Sequence, residues 1–189
     1  MSNAPGFKPK KSVALSGTVA GNTAICTVGR TGNDLHYRGF DILDIAETCE
    51  FEEVAHLIVH EKLPTQSELA SYKVKLKLLR DLPQSVKTVL EQLPASTHPM
   101  DVMRTGCSML GNLEPEGGFE NQQRAADRLL GALPGIINYW YRFSHEGVRI
   151  ETDTDAESLA GHFLQTLTGS KPSELHERIM DISLILYAE

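Results

Sequence analysis

Residues 122–145 read Gln122-Gln-Arg-Ala-Ala-Asp-Arg-Leu-Leu-Gly-Ala-Leu-Pro-Gly-Ile-Ile-Asn-Tyr-Trp-Tyr-Arg-Phe-Ser-His145. Leu129, Leu130, Leu133, Ile136, Ile137, Tyr139, Trp140 and Phe143 recur in steps of one, three and four, which is helical spacing. They cover most of the girth instead of one stripe, so this helix is expected to be packed on several sides. Pro134 lies in its middle. A proline there removes a backbone hydrogen bond and crowds the preceding turn, so a kink or a fresh segment is expected. So apolar a helix needs other helices around it.

The flanking sequence supplies them. Asp41 can cap a helix over Ile42–Thr48, and Phe51–Glu61 follows. Thr65 with Glu68 three residues on is a capping-box pattern, after which Leu69, Tyr72, Leu76 and Leu79 share a face. Pro83 and Pro99 each open a helix, the second with Met103, Cys107 and Leu110 in a stripe. Asp155–Thr168 ends at Gly169, and Pro172 or Ser173 begins a last helix. Ahead of these, Ala20–Val28 reads as a strand and Leu35–Gly39 as a second, a small N-terminal hairpin after an extended segment 1–13. The fold class is mostly α.

The 189 residues are 41% apolar and 23% charged, which suits a globular domain and not a disordered one. The net charge of −7 argues against a general nucleic-acid or anionic-membrane binder. No apolar run reaches membrane-spanning length. Three widely spaced cysteines give neither a disulfide framework nor a zinc site, so reduced thiols in a cytoplasmic protein are expected.

Few residues suggest chemistry. His56 and His60 are four apart on a helix, a spacing that suits a metal, but two ligands do not make a zinc site and a polar helix face is the plainer reading. Gly29-Arg-Thr-Gly32 reads as a hairpin turn and not as a phosphate loop, because no helix follows it. Lys73, Lys75, Lys77 and Arg80 form the densest basic stretch, with Lys73, Lys77 and Arg80 on one face. They read either as a contact for coenzyme A phosphates or as a solvated helix face. His98 at a helix start and His162 inside a helix read as structural. The last residues, Ser183-Leu-Ile-Leu-Tyr-Ala-Glu189, still bring apolar side chains at helical spacing with no cap. The sequence therefore reads as the front portion of a longer protein, incomplete at its C-terminus.

Several stretches resemble the citrate synthase family. They are Ala20-Gly-Asn-Thr-Ala24, Asn33-Asp-Leu-His-Tyr-Arg-Gly39, Phe51-Glu-Glu-Val-Ala-His56, His98-Pro-Met-Asp-Val-Met-Arg-Thr-Gly106 and Leu186-Tyr-Ala-Glu189. Lys8-Pro-Lys-Lys-Ser-Val-Ala-Leu-Ser-Gly17 is similar to the methylcitrate-forming branch in particular. The resemblance implies a mostly helical homodimer, roughly twice this length, whose large domain is formed by both chain ends. It implies condensation of propionyl-CoA with oxaloacetate and water to 2-methylcitrate and CoA in propionate catabolism. An aspartate and two histidines carry the chemistry, and coenzyme A enters only as part of the substrate.

By the same resemblance, those catalytic residues follow Glu189. No catalytic residue is therefore expected in this chain, and no metal or other cofactor. Residues 14–189 would be the N-terminal part of the large domain, with helices near 99–112 and 122–145 at the dimer interface. Two other readings stand beside this one: a citrate synthase using acetyl-CoA, and a non-enzymatic helical interaction module.

Overall fold

The computed structural model describes residues 21–28 and 35–188. The expected extended segment 1–13, the Gly29–Gly32 turn and the stretch Lys8–Gly17 lie outside them. Three short strands, β1 (Cys26–Val28), β2 (Leu35–Tyr37) and β3 (Phe40–Asp41), form one antiparallel sheet in that order. The expected hairpin is thus extended by a third strand. Tyr37 pairs with Phe40 across a two-residue turn, Arg38-Gly39, in which both residues have positive φ (46° and 90°). Such a turn matches strand twist, and glycine takes the left-handed position at little cost.

Eight α-helices follow: α1 (Ile42–Thr48), α2 (Phe51–His60), α3 (Gln66–Leu78), α4 (Gln84–Glu91), α5 (Pro99–Leu113), α6 (Gln122–Glu146), α7 (Leu159–Thr168) and α8 (Glu174–Leu186). Their starts follow local chemistry. Asp41 accepts from the Leu43 N–H, and the Thr65–Glu68 box closes in both directions. His98 Nδ1 accepts from the Met100 N–H ahead of Pro99, and Ser173 caps α8.

α6 is one 25-residue helix with Pro134 inside it, so no fresh segment begins there. Ala132, Gly135 and Ile136 on either side of the proline are buried. Three details depart from expectation. α7 begins at Leu159 and not at Asp155, because carbonyls at 154–158 turn toward Arg80 and Ser158 takes the cap. The buried side of α5 is Val102, Gly106 and Leu110 and not the Met103–Cys107 side. The end of α8 finds a partner: the Tyr37 hydroxyl donates to the Leu186 carbonyl at 3.3 Å.

α6 touches α2, α3, α4, α5 and α7. One core cluster joins the sheet, α1, α2, α3, Leu159 and Ile185 around Tyr37, Val54, Leu57 and Leu76. The second joins α4, α5 and α6 around Val86, Leu90, Val102, Ile136 and Trp140.

Candidate functional site

The basic stretch on and after α3 divides in the structure. Lys73 donates to Glu50 Oε2 at 2.6 Å, and Lys75 is paired with Asp127. Lys77 reaches Glu157 Oε1 at 3.0 Å and the Asp155 carbonyl at 2.9 Å. For Lys73, burial is the largest influence and opposes the charge, but the Glu50 hydrogen bond together with the charges of Glu52, Glu50 and Glu157 outweighs it and raises the pKa. Arg80 lies beyond the last turn of α3 and is 1% exposed. Its guanidinium donates to the carbonyls of Thr154 (3.3 Å), Ala156 (2.5 Å) and Ser158 (3.2 Å). The common face expected of Lys73, Lys77 and Arg80 is formed, with Lys77 and Arg80 converging on residues 154–158 and Lys73 near Glu157, but its cations are engaged by groups of the same chain, while Lys75 points to Asp127. Arg80 points inward because the Thr154 and Ala156 carbonyls lie before α7, outside its hydrogen-bond ladder, and a guanidinium fork reaches them together with the Ser158 carbonyl, which also accepts from the His162 N–H.

Beside the Arg80 cluster lie further buried polar groups, of which the sequence reading singled out His162 and not Glu52 or Asp181. Glu52 on α2 accepts from the Leu159 N–H at 2.6 Å and so helps to cap α7. Burial raises its pKa. Asp181 on α8 accepts from the Phe51 N–H at 2.9 Å and pairs with Arg178 at 2.7 Å, capping α2. His162 is fully buried, its Nδ1 2.9 Å from the Thr154 hydroxyl. Burial and the nearby Arg80 charge push its pKa down to about 3, so it is a neutral structural imidazole.

His56 and His60 do not lie on a polar face as expected. His56 is buried, with Nδ1 2.8 Å from the Lys62 carbonyl, because the chain turns back over the end of α2 at Glu61 (φ 69°). His60 Nε2 is 3.2 Å from Asp127 Oδ1. Asp127 is fully buried and also accepts from the Tyr72 hydroxyl at 2.8 Å. Burial, reinforced by that carboxylate, raises the Tyr72 pKa, so Tyr72 stays a donor. His56, His60 and Tyr72 line an open polar pocket of about 350 Å³ with Ser67, Glu68, Ser71 and Lys75. Asp127 is the residue the sequence concealed; its one signal was a lone acid two residues before Leu129 and Leu130 on an apolar helix.

A second concavity is chemically blank. An apolar groove of about 670 Å³ runs between α2, α6 and α8, lined by Ala55, Val59, Leu130, Leu133, Ile137, Met180 and Leu184 among others. Its floor is the α6 surface that made that helix apolar around most of its girth. The outer flank of α8 adds exposed Leu175, Ile179 and Leu186. Exposed apolar area of this extent marks an interaction surface. Burial raises the Cys49 and Cys107 pKa values, so neither thiol is primed as a nucleophile. Among the described residues no helix is long and apolar enough to cross a membrane.

Comparison with known proteins assigns this arrangement. A family profile described as "Citrate synthase, C-terminal domain" matches residues 14–189. The chain is 59% identical to the 2-methylcitrate synthase of Shewanella oneidensis over 96% of its length, which is 48% of that protein. It is 32% identical to the citrate synthase of Heyndrickxia coagulans, over 93% of the chain and 48% of the relative. The crystal structure of citrate synthase from Thermotoga maritima superposes with a TM-score of 0.78 at 29% identity, over 94% of this chain and 46% of that one. The chain thus spans about half the length of the curated relatives it matches.

Proposed function

The chain belongs to the citrate synthase family, and on that footing we propose that it supplies the N-terminal half of a 2-methylcitrate synthase. The complete enzyme would join propionyl-CoA to oxaloacetate and, with water, release 2-methylcitrate and CoA in propionate catabolism. The observation that carries this reading is the 59% identity to a 2-methylcitrate synthase, against 32% to a citrate synthase.

The condensation needs a base at the α-carbon of the thioester and a donor at the developing enolate oxygen, in a site that excludes water. The buried acids of this chain are tied to structural donors: Glu52 to Leu159, Asp181 to Phe51 and Arg178, Asp127 to Tyr72. The described residues thus act as scaffold, and we assign the reacting groups to the half of the family fold outside the match. The apolar groove between α2, α6 and α8 is the seat for that half. The same reading makes the protein a cytoplasmic homodimer through outer faces of α5 and α6. Gly106 is not available to such a contact, since Ile136 of the same chain fills the space beside it.

Citrate synthesis from acetyl-CoA is the second reading, supported by the match to citrate synthases. The two thioesters differ by one methylene, which a pocket distinguishes by only about 1–3 kcal/mol. The test compares kcat/KM for the two thioesters by thiol release in the complete enzyme. A higher value for propionyl-CoA is expected. Preference for acetyl-CoA would leave a citrate synthase.

A further inference from the structure

We propose that His56 and His60 form a two-nitrogen site for a borderline divalent transition-metal ion of the Cu²⁺, Ni²⁺ or Zn²⁺ class. The condensation makes no use of either side chain. The two residues stand one turn apart on α2, with ring centroids 4.7 Å apart and planes tilted by 35°. An imidazole nitrogen sits about 2.0–2.1 Å from such an ion, and two rings at a near-tetrahedral angle around it place their centroids roughly 5 Å apart. The observed separation of 4.7 Å is close to that spacing.

The hydrogen bonds behind the rings fix which nitrogens are open. The Lys62 carbonyl only accepts, so His56 Nδ1, 2.8 Å away, carries the proton and Nε2 keeps its lone pair. The Asp127 carboxylate likewise accepts from His60 Nε2 at 3.2 Å, leaving the lone pair on Nδ1. A carbonyl on one ring and a carboxylate on the other are the outer partners that orient metal-binding histidines and raise their basicity. The Tyr72 ring stands edge-on to both imidazoles, 5.2 and 5.3 Å between centroids, and limits their rotation. Lys75 balances the Asp127 charge.

Among the described residues no third His, Cys, Asp or Glu joins the pair to make a larger metal-holding group. The open polar pocket in front admits water to the remaining positions. A pair of imidazoles selects the nitrogen-preferring end of the divalent series and leaves Mg²⁺ and Ca²⁺, which require oxygen ligands, unbound.

The test titrates Cu²⁺ into the 189-residue chain and follows the electron paramagnetic resonance spectrum. One saturable equivalent with coupling to two nitrogens is expected. His56→Asn and His60→Asn should each weaken binding at least ten-fold and remove the two-nitrogen pattern, while His176→Asn, at an exposed histidine, leaves both unchanged. Because His60→Asn also touches the buried Asp127, the unmutated chain is examined with Zn²⁺ by long-range ¹⁵N–¹H imidazole spectra. Shifts confined to His56 Nε2 and His60 Nδ1 are expected. Absence of a saturable equivalent, an unchanged two-nitrogen spectrum in His60→Asn, or Zn²⁺ shifts at other histidines would each overturn the site.

Discussion

A Cβ built on Gly106 of α5 would lie 2.4 Å from Cγ2 of Ile136 on α6, so these two helices meet with only hydrogen between them. Ile136 is fully buried and β-branched, which leaves it little room to yield. Gly106→Ala is therefore predicted to destabilise the fold by about 1–3 kcal/mol through overpacking, although alanine in a helix interior normally gains about 0.5–1 kcal/mol over glycine. Gly111, on the same helix, has open space where its Cβ would be, so Gly111→Ala should stabilise by up to about 1 kcal/mol. Urea midpoints of the two variants check this. Shifts of the same sign would contradict the close approach.

Arg80 and Lys77 are three residues apart and should behave differently. Arg80→Ala removes a buried guanidinium from three carbonyls, a loss of about 3 kcal/mol or more. Lys77→Ala loses a pair with Glu157, whose side chain is 81% exposed, and should cost under about 1 kcal/mol. Hydrogen exchange at the first turn of α7 should rise in the Arg80 variant alone. Equal and small effects would return Arg80 to a solvated face.

His162 gives the fold an acid-side weakness. Its folded pKa, about 3, lies below the ordinary value near 6.5, so the unfolded chain takes up a proton that the folded chain refuses. Stability from this group is complete at neutral pH and falls as pH drops below about 6.5, until the folded pKa is reached. Between pH 7 and pH 5 the loss is about 2 kcal/mol. Glu52 and Asp181, whose pKa values burial raises, act in the opposite sense near their own titration. Denaturant unfolding of His162→Gln at the two pH values should show that pH-dependent loss reduced. An unaltered pH dependence would place the proton elsewhere.

The helices were legible because their signals are local. Asp41, Thr65 with Glu68, Pro99 and Ser173 act on backbone groups two or three residues away. The apolar period of α6 was equally plain, and the exposed groove on that helix explains why it is apolar around most of its girth. Contacts spanning long stretches of chain were not legible. Nothing in Glu52 or Asp181 marks them as caps for helices 107 and 130 residues away. Nothing near Lys77 and Arg80 shows that they would meet carbonyls more than 70 residues later. His56 and His60 were visible as a pair, but their environment depends on Asp127, which α6 brings in from 67 residues beyond His60. Pro134 lies inside α6 between buried Ala132 and Ile136, and the helix continues through it instead of starting afresh.

The division between scaffold and chemistry is tested most directly by CoA release from propionyl-CoA in the presence of oxaloacetate. The measurement compares residues 1–189 alone with the same residues joined to the unmatched half of the Shewanella oneidensis relative. If the groove between α2, α6 and α8 seats that half, the joined protein releases CoA only when both substrates are present. The 189-residue chain alone releases none. Release from the chain alone, or a folded joined protein that stays silent, would contradict it.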